Sequence, residues 1–104
     1  MSQSFARFGT EVTLLDLSNH VLAREDADAA EIVQRSLLAD GVRLEMGVKI
    51  AGVEVRDGTK VVRAERGGEA VEIVADEILV AAGRAPNVEN LGLEQARVDY
   101  DRKG

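Results

Sequence analysis

Two periods organise the apolar residues of this chain. In residues 27–40, Ala30, Val33 and Leu37 recur at i, i+3 and i+7, the spacing of one helical face. This helix is expected to begin at Asp26 or Asp28, either of which can cap it, with Glu31 three residues after Asp28, and to end at Gly41. Period two governs most of the rest. Val42, Leu44 and Met46 alternate with charged residues and predict a strand, and residues 12–15 predict a short apolar strand ending in Asp16. Residues 49–75 predict a three-stranded antiparallel meander. Val53 and Val55 precede a turn at Asp57-Gly58, Val61 and Val62 precede another at Gly67-Gly68, and Val71, Ile73 and Val74 complete it.

A third kind of segment has no period. Residues 78–82 form an unbroken apolar run, which predicts a strand over 77–82 buried on both faces, as in parallel sheets. Residues 4–8 are the last turns of a helix closed by Gly9. Residues 17–24 form a polar loop, and 90–104 are irregular, anchored by Leu91 and Leu93. The predicted fold is α/β, with an antiparallel flap inserted before the last parallel strand.

Composition narrows the function. At 104 residues the chain holds one small domain, and 45% hydrophobic with 31% charged residues fits a globular protein. A net charge of −6 with acids and bases interspersed argues against nucleic acid, whose phosphates demand a basic face. No apolar run approaches the ~18 residues of a membrane span, and the N-terminus lacks the apolar core of a signal peptide, so a cytoplasmic location is expected. Cysteine is absent and His20 is the only histidine, which removes thiol chemistry and multi-histidine metal sites.

Two strand ends carry candidate chemistry. Gly83, Arg84 and Pro86 follow the apolar run at a point where open α/β sheets place ligands. Gly83 lets the backbone approach a ligand closely, and Pro86 stops the strand; a plain surface turn is the alternative. Asp16 ends its own strand. An acid there accepts hydrogen bonds from the ribose hydroxyls of a dinucleotide, or else merely begins a loop.

The ordered set Phe8-Gly9-Thr10-Glu11-Val12-Thr13-Leu14-Leu15-Asp16, a charged helix ending at Gly41, a strand from Val42, a meander, then Leu79-Val80-Ala81-Ala82-Gly83-Arg84-Ala85-Pro86-Asn87 and Leu91-Gly92-Leu93 carries a resemblance. The chain resembles the NAD(P)-binding domain of the FAD-dependent pyridine nucleotide-disulfide oxidoreductases, the family of dihydrolipoamide dehydrogenase and mercuric reductase. The resemblance implies a partial Rossmann-like domain, with residues 1–48 and 76–87 as parallel core and 49–75 as flap. It also implies a parent flavoenzyme that passes a hydride from NAD(P)H to FAD and on to a disulfide or another acceptor.

By the same resemblance Asp16 binds the adenosine ribose, Ile50 packs near the bound NAD, and Gly83 lies along the NAD. Arg84 faces the flavin side. Read from the residues alone, Ile50 is ordinary core, and Arg84 a solvated charge, as are Arg7, Arg43, Arg63 and Arg66. The stretch Asp16-Leu17-Ser18-Asn19-His20 holds no arginine or lysine before Arg24, which favours NAD over NADP. The family's Gly-x-Gly-x-x-Gly fingerprint and cysteine pair are absent, so the chain is expected to be the distal part of a nucleotide-binding domain, inactive alone and without a tightly bound cofactor. Its partners would be NAD(H) and the remainder of the flavoprotein. Lacking the central strand, it would either pair residues 12–16 directly with 77–82 or recruit another copy through unpaired edges. The alternatives are a free-standing binding or interaction module, and the cysteine-less NADH oxidase or ferredoxin reductase branch.

Overall fold

The computed structural model describes residues 1–101. Its order is α1 (Ser2–Arg7), β1 (Thr13–Asp16), α2 (Ala27–Ala39), β2 (Arg43–Met46), β3 (Lys49–Arg56), β4 (Thr59–Arg66) and β5 (Glu69–Ala75). β1 and β2 form a two-stranded parallel sheet, and β3-β4-β5 a three-stranded antiparallel sheet.

The parallel pair needs a crossover, and α2 supplies it. Asp26 takes the N-cap position without a side-chain capping bond, while Asp28 Oδ1 accepts from the Ala29 N–H at 2.9 Å. Glu31, the expected capping partner, instead pairs with Arg35 one turn on at 2.6 Å. The other end is closed more firmly. Gly41 has φ +84°, its N–H donates to the Leu38 carbonyl, and the Val42 N–H donates to the Leu37 carbonyl, each at 3.0 Å. These two bonds make a Schellman cap, whose usual apolar contact joins the residue after the glycine to the last turn. Here Leu37 and Val42 meet Val21 in the buried cluster, with Val12, Leu14, Leu44 and Met46 packed around it. The cap therefore nucleates the core and aims β2 back alongside β1. Of the expected helical face, Ala30 and Leu37 are buried but Val33 is 41% exposed.

The flap folds on local turn chemistry. Asp57 and Gly58 (φ 53° and 81°), like Gly67 and Gly68 (φ 57° and 89°), have both central residues at positive φ. That is the two-residue turn whose twist suits a hairpin. Val62, Ala64 and Arg66 share one face of β4 by period two, and Ile50 lies directly opposite Ala64. Val62 and Ala64 are buried. The other face carries Glu54, Arg56, Arg63 and Glu72, joined by ion pairs.

Two expectations are corrected. Residues 77–82 form no strand, and they do not pair with 12–16; Leu79 and Val80 are 59% and 81% exposed. A run with apolar side chains on both faces needs a strand partner and two covering layers. Among the described residues, the free edges of the parallel β1–β2 pair are left unpaired by it. The anchoring role expected of Leu91 also fails, since it is 63% exposed; local bonds from Ala96 to Gly92 and from Val98 to Leu93 shape that region instead. Residues 102–104 of the expected irregular tail lie outside the described residues. Among the described residues, no helix is long and apolar enough to cross a membrane.

Candidate functional site

Asp16 ends β1 opposite Met46 and is half-buried. One carboxylate oxygen, Oδ1, accepts from the Ser18 N–H at 2.8 Å, which folds the chain into a tight turn directly after the strand. The Ser18 carbonyl accepts from the Gly47 N–H at 2.9 Å, and the Asp16 carbonyl accepts from the Val48 N–H at 3.0 Å. A Cβ on Gly47 would stand 3.3 Å from Asn19 Oδ1, so the loop after β1 and the link after β2 are packed against one another. Farther along the loop, the Val21 N–H donates to Gln34 Oε1 of α2 at 3.3 Å and His20 Nδ1 bonds to the Val21 carbonyl at 2.8 Å. The Asp16 turn is thereby tied to Gly47 and Val48, and one carboxylate oxygen, Oδ2, is left as an acceptor among the described residues.

Ile50 lies two residues after Val48, a reach of about 7 Å along a strand. It is 54% exposed rather than core, and a β-bulge follows it between Ile50 and Gly52. Gly83 and Arg84 are not drawn in. Both are exposed, and no hydrogen bond or strand pairing joins them to Asp16 or Ile50 among the described residues. Gly83 has φ +149°, a backbone shape that favours glycine, yet an added Cβ would meet nothing within 4 Å. The segment is hydrogen-bonded at its start, where Lys60 Nζ donates to the Asp76 carbonyl at 2.5 Å and to Glu77 at 2.9 Å. An open hollow on the flap, lined by Ala51, Arg63, Glu65 and Ala70 among others, includes none of the four candidate residues.

Arg7, Arg43 and Arg66 are exposed, as surface charges are, but each is ion-paired. Arg7 pairs with Asp40 at 3.0 Å, fastening α1 to the end of α2, and together with the Gln3 amide it holds the Asp40 carboxyl below its usual range. Glu45, on β2, is the one buried charged residue among the described residues, at 7% exposure. Arg66 of the flap and Arg43 of β2 both bind it, Arg43 at 2.8 Å. The Arg66 hydrogen bond leads in holding the Glu45 carboxyl below its usual range; burial pushes the other way, and Arg43 adds to the lowering. Arg63 pairs with Glu54 at 3.5 Å. Alternation marked Glu45 as outward-facing, and nothing local announced that a flap residue 21 positions later would cover it. Among the described residues no group of three or more acidic or histidine side chains is placed to hold a metal.

The sequence profile described as "Pyridine nucleotide-disulphide oxidoreductase" matches residues 1–104. The chain belongs to the pyridine nucleotide-disulphide oxidoreductase family. It is 40% identical to the dihydrolipoyl dehydrogenase of Thermus scotoductus over the whole chain, which covers 23% of that protein. It is 38% identical to the mercuric reductase of Staphylococcus aureus, again over the whole chain and 19% of the relative. Among solved structures, the Cu(II) complex of the HOCl-induced flavoprotein disulfide reductase RclA from Escherichia coli superposes with a TM-score of 0.82 at 27% identity, covering 99% of this chain and 22% of that one. LpdA from Mycobacterium tuberculosis does so with a TM-score of 0.76 at 31% identity, covering 98% and 22%. The chain thus spans about a fifth of the length of the relatives it matches. Its parallel pair and three-stranded flap are part of the architecture of flavoprotein disulfide reductases.

Proposed function

We propose that this chain contributes the adenosine-binding portion of an NAD site in a flavin-dependent oxidoreductase that passes a hydride from NAD(P)H to FAD and on to a disulfide or another acceptor. Residues 1–48 supply part of a Rossmann-like parallel core and 49–75 the flap, while 76–87 would join that core only where the remainder of the flavoprotein supplies their strand partner. The observation that carries this reading is the Asp16 turn. A carboxylate at a strand's carboxyl end has one oxygen fixed by Ser18 and the other available as an acceptor, which suits the paired hydroxyls of a ribose. Ile50, half-exposed two residues beyond Val48, offers an apolar surface to the adenosine.

The fit is partial for the rest of the nucleotide. Gly83 would lie along the NAD, but among the described residues nothing presses on it; its conformation, and not a crowded cradle, supports that role. For FAD the candidate is Arg84, an exposed guanidinium. The Asp16 carboxylate repels a 2′-phosphate, and no lysine or arginine follows before Arg24, which favours NAD over NADP. The isolated chain binds NAD weakly and is inactive. Its partners are NAD(H), the remainder of a larger flavoprotein and, through the open edge of β1, further copies of itself. Family membership supports this enzyme reading over a free-standing module; the cysteine-less NADH oxidase or ferredoxin reductase branch is the second reading. Calorimetric titration tests the affinity: binding weaker than micromolar is expected for NADH, and micromolar binding would overturn the partial-site reading.

A further inference from the structure

We infer that Glu45 is a positioning residue, clasped by Arg66 and Arg43, that sets where the flap stands over the nucleotide end of the parallel sheet. The inference rests on the Asp16–Ile50 site proposed above and deepens it. No strand pairing joins the two sheets. Their covalent link is Gly47-Val48, and both residues of that link donate backbone hydrogen bonds into the Asp16 turn. The flap therefore pivots on the same two residues that hold the candidate ribose acid.

What stops the pivot is the clasp. Arg66 lies on the flap face that also carries Ala64 and, opposite it, Ile50. Its guanidinium binds Glu45 Oε2, while Arg43 Nε takes Oε1 at 2.8 Å, so both oxygens are occupied. The Glu45 side chain is 10% exposed, against 48% for Arg66 and 72% for Arg43. A carboxylate in that position without its partners would face desolvation uncompensated, which gives the closed arrangement a specific orientation. Apolar burial within the flap, at Val61, Val62 and Ala64, is non-directional; paired charge-assisted bonds fix an angle.

Residual dipolar couplings on the nucleotide-free chain test the clasp. In the wild type both sheets should fit one alignment tensor. Glu45→Gln, which keeps the shape and removes the charge, should split them into two. So should Arg66→Gln, a substitution at a half-exposed side chain, while Glu72→Gln on the opposite face should leave one tensor. Retention of a single tensor in both Glu45→Gln and Arg66→Gln would overturn the inference. A second arm adds millimolar NADH and follows amide shifts. With the clasp broken, the Asp16 turn should still respond while the response at Ile50 is lost. If the wild type itself shows no response at Asp16, the proposed nucleotide site fails, whereas the clasp is judged on the couplings alone.

Discussion

Truncating Val42 to alanine strikes the point on which the parallel layer is built. Val42 is 2% exposed and packs with Leu37 and Val21 directly after the Schellman cap of α2. The substitution removes two buried methyl groups, worth about 1.6 kcal/mol at ~0.8 each, and the cavity left behind adds about 1 kcal/mol more. A total near 2–3 kcal/mol is a large share of the ~5–15 kcal/mol that a domain of this size possesses. At about 4–8 °C per kcal/mol it should lower the midpoint of thermal unfolding by roughly 10–20 °C. The matched control is Val55→Ala, the same chemical change at a flap position that is 71% exposed, where a loss within about 0.5 kcal/mol is expected. Calorimetry or circular dichroism on the two variants decides the matter. Equal midpoints for both would refute the claim that the core is seated at the cap of α2.

Other outcomes follow from the same geometry. Gly41→Ala should destabilise by about 1–2 kcal/mol through backbone strain alone, because φ is +84° and an added Cβ meets nothing within 4 Å; a urea midpoint unchanged from wild type would contradict this. The Glu45 carboxyl is depressed from its ordinary 4.5 in the folded state, so the stability it confers is fully present above 4.5 and is lost as pH falls through the lower folded value. Urea unfolding measured from neutral pH downward should therefore show an acid limb that Glu45→Gln flattens. The open edge of β1 and the exposed Leu79 and Val80 should make the chain self-associate, and Val80→Lys should shift sedimentation toward monomer; a strictly monomeric wild type at high concentration would count against it.

Local signals made much of the fold legible. Asp57-Gly58 and Gly67-Gly68 dictate their turns by backbone sterics within two residues, so the flap emerged with its boundaries at 49 and 75. Gly9 and Gly41 terminate helices for the same reason. What failed depended on distant partners. Residues 77–82 have the composition of a buried parallel strand, but composition cannot supply the neighbour such a strand must pair with. Glu45 reads as outward by alternation, and its burial is decided by Arg66 arriving from another sheet. At the candidate site, Asp16 was legible because a strand-terminal acid is a local feature. The wiring of its turn to Gly47 and Val48 was not, since those bonds join backbone atoms some thirty residues apart and leave no trace in side-chain type.

The most direct test is an amide-resolved titration of the chain with millimolar NADH, repeated with NADPH and with Asp16→Ala. Shifts confined to the turn at Asp16 to Ser18 and to Ile50, weaker with NADPH and abolished by the substitution, are what the account requires. A response elsewhere that survives Asp16→Ala would contradict it.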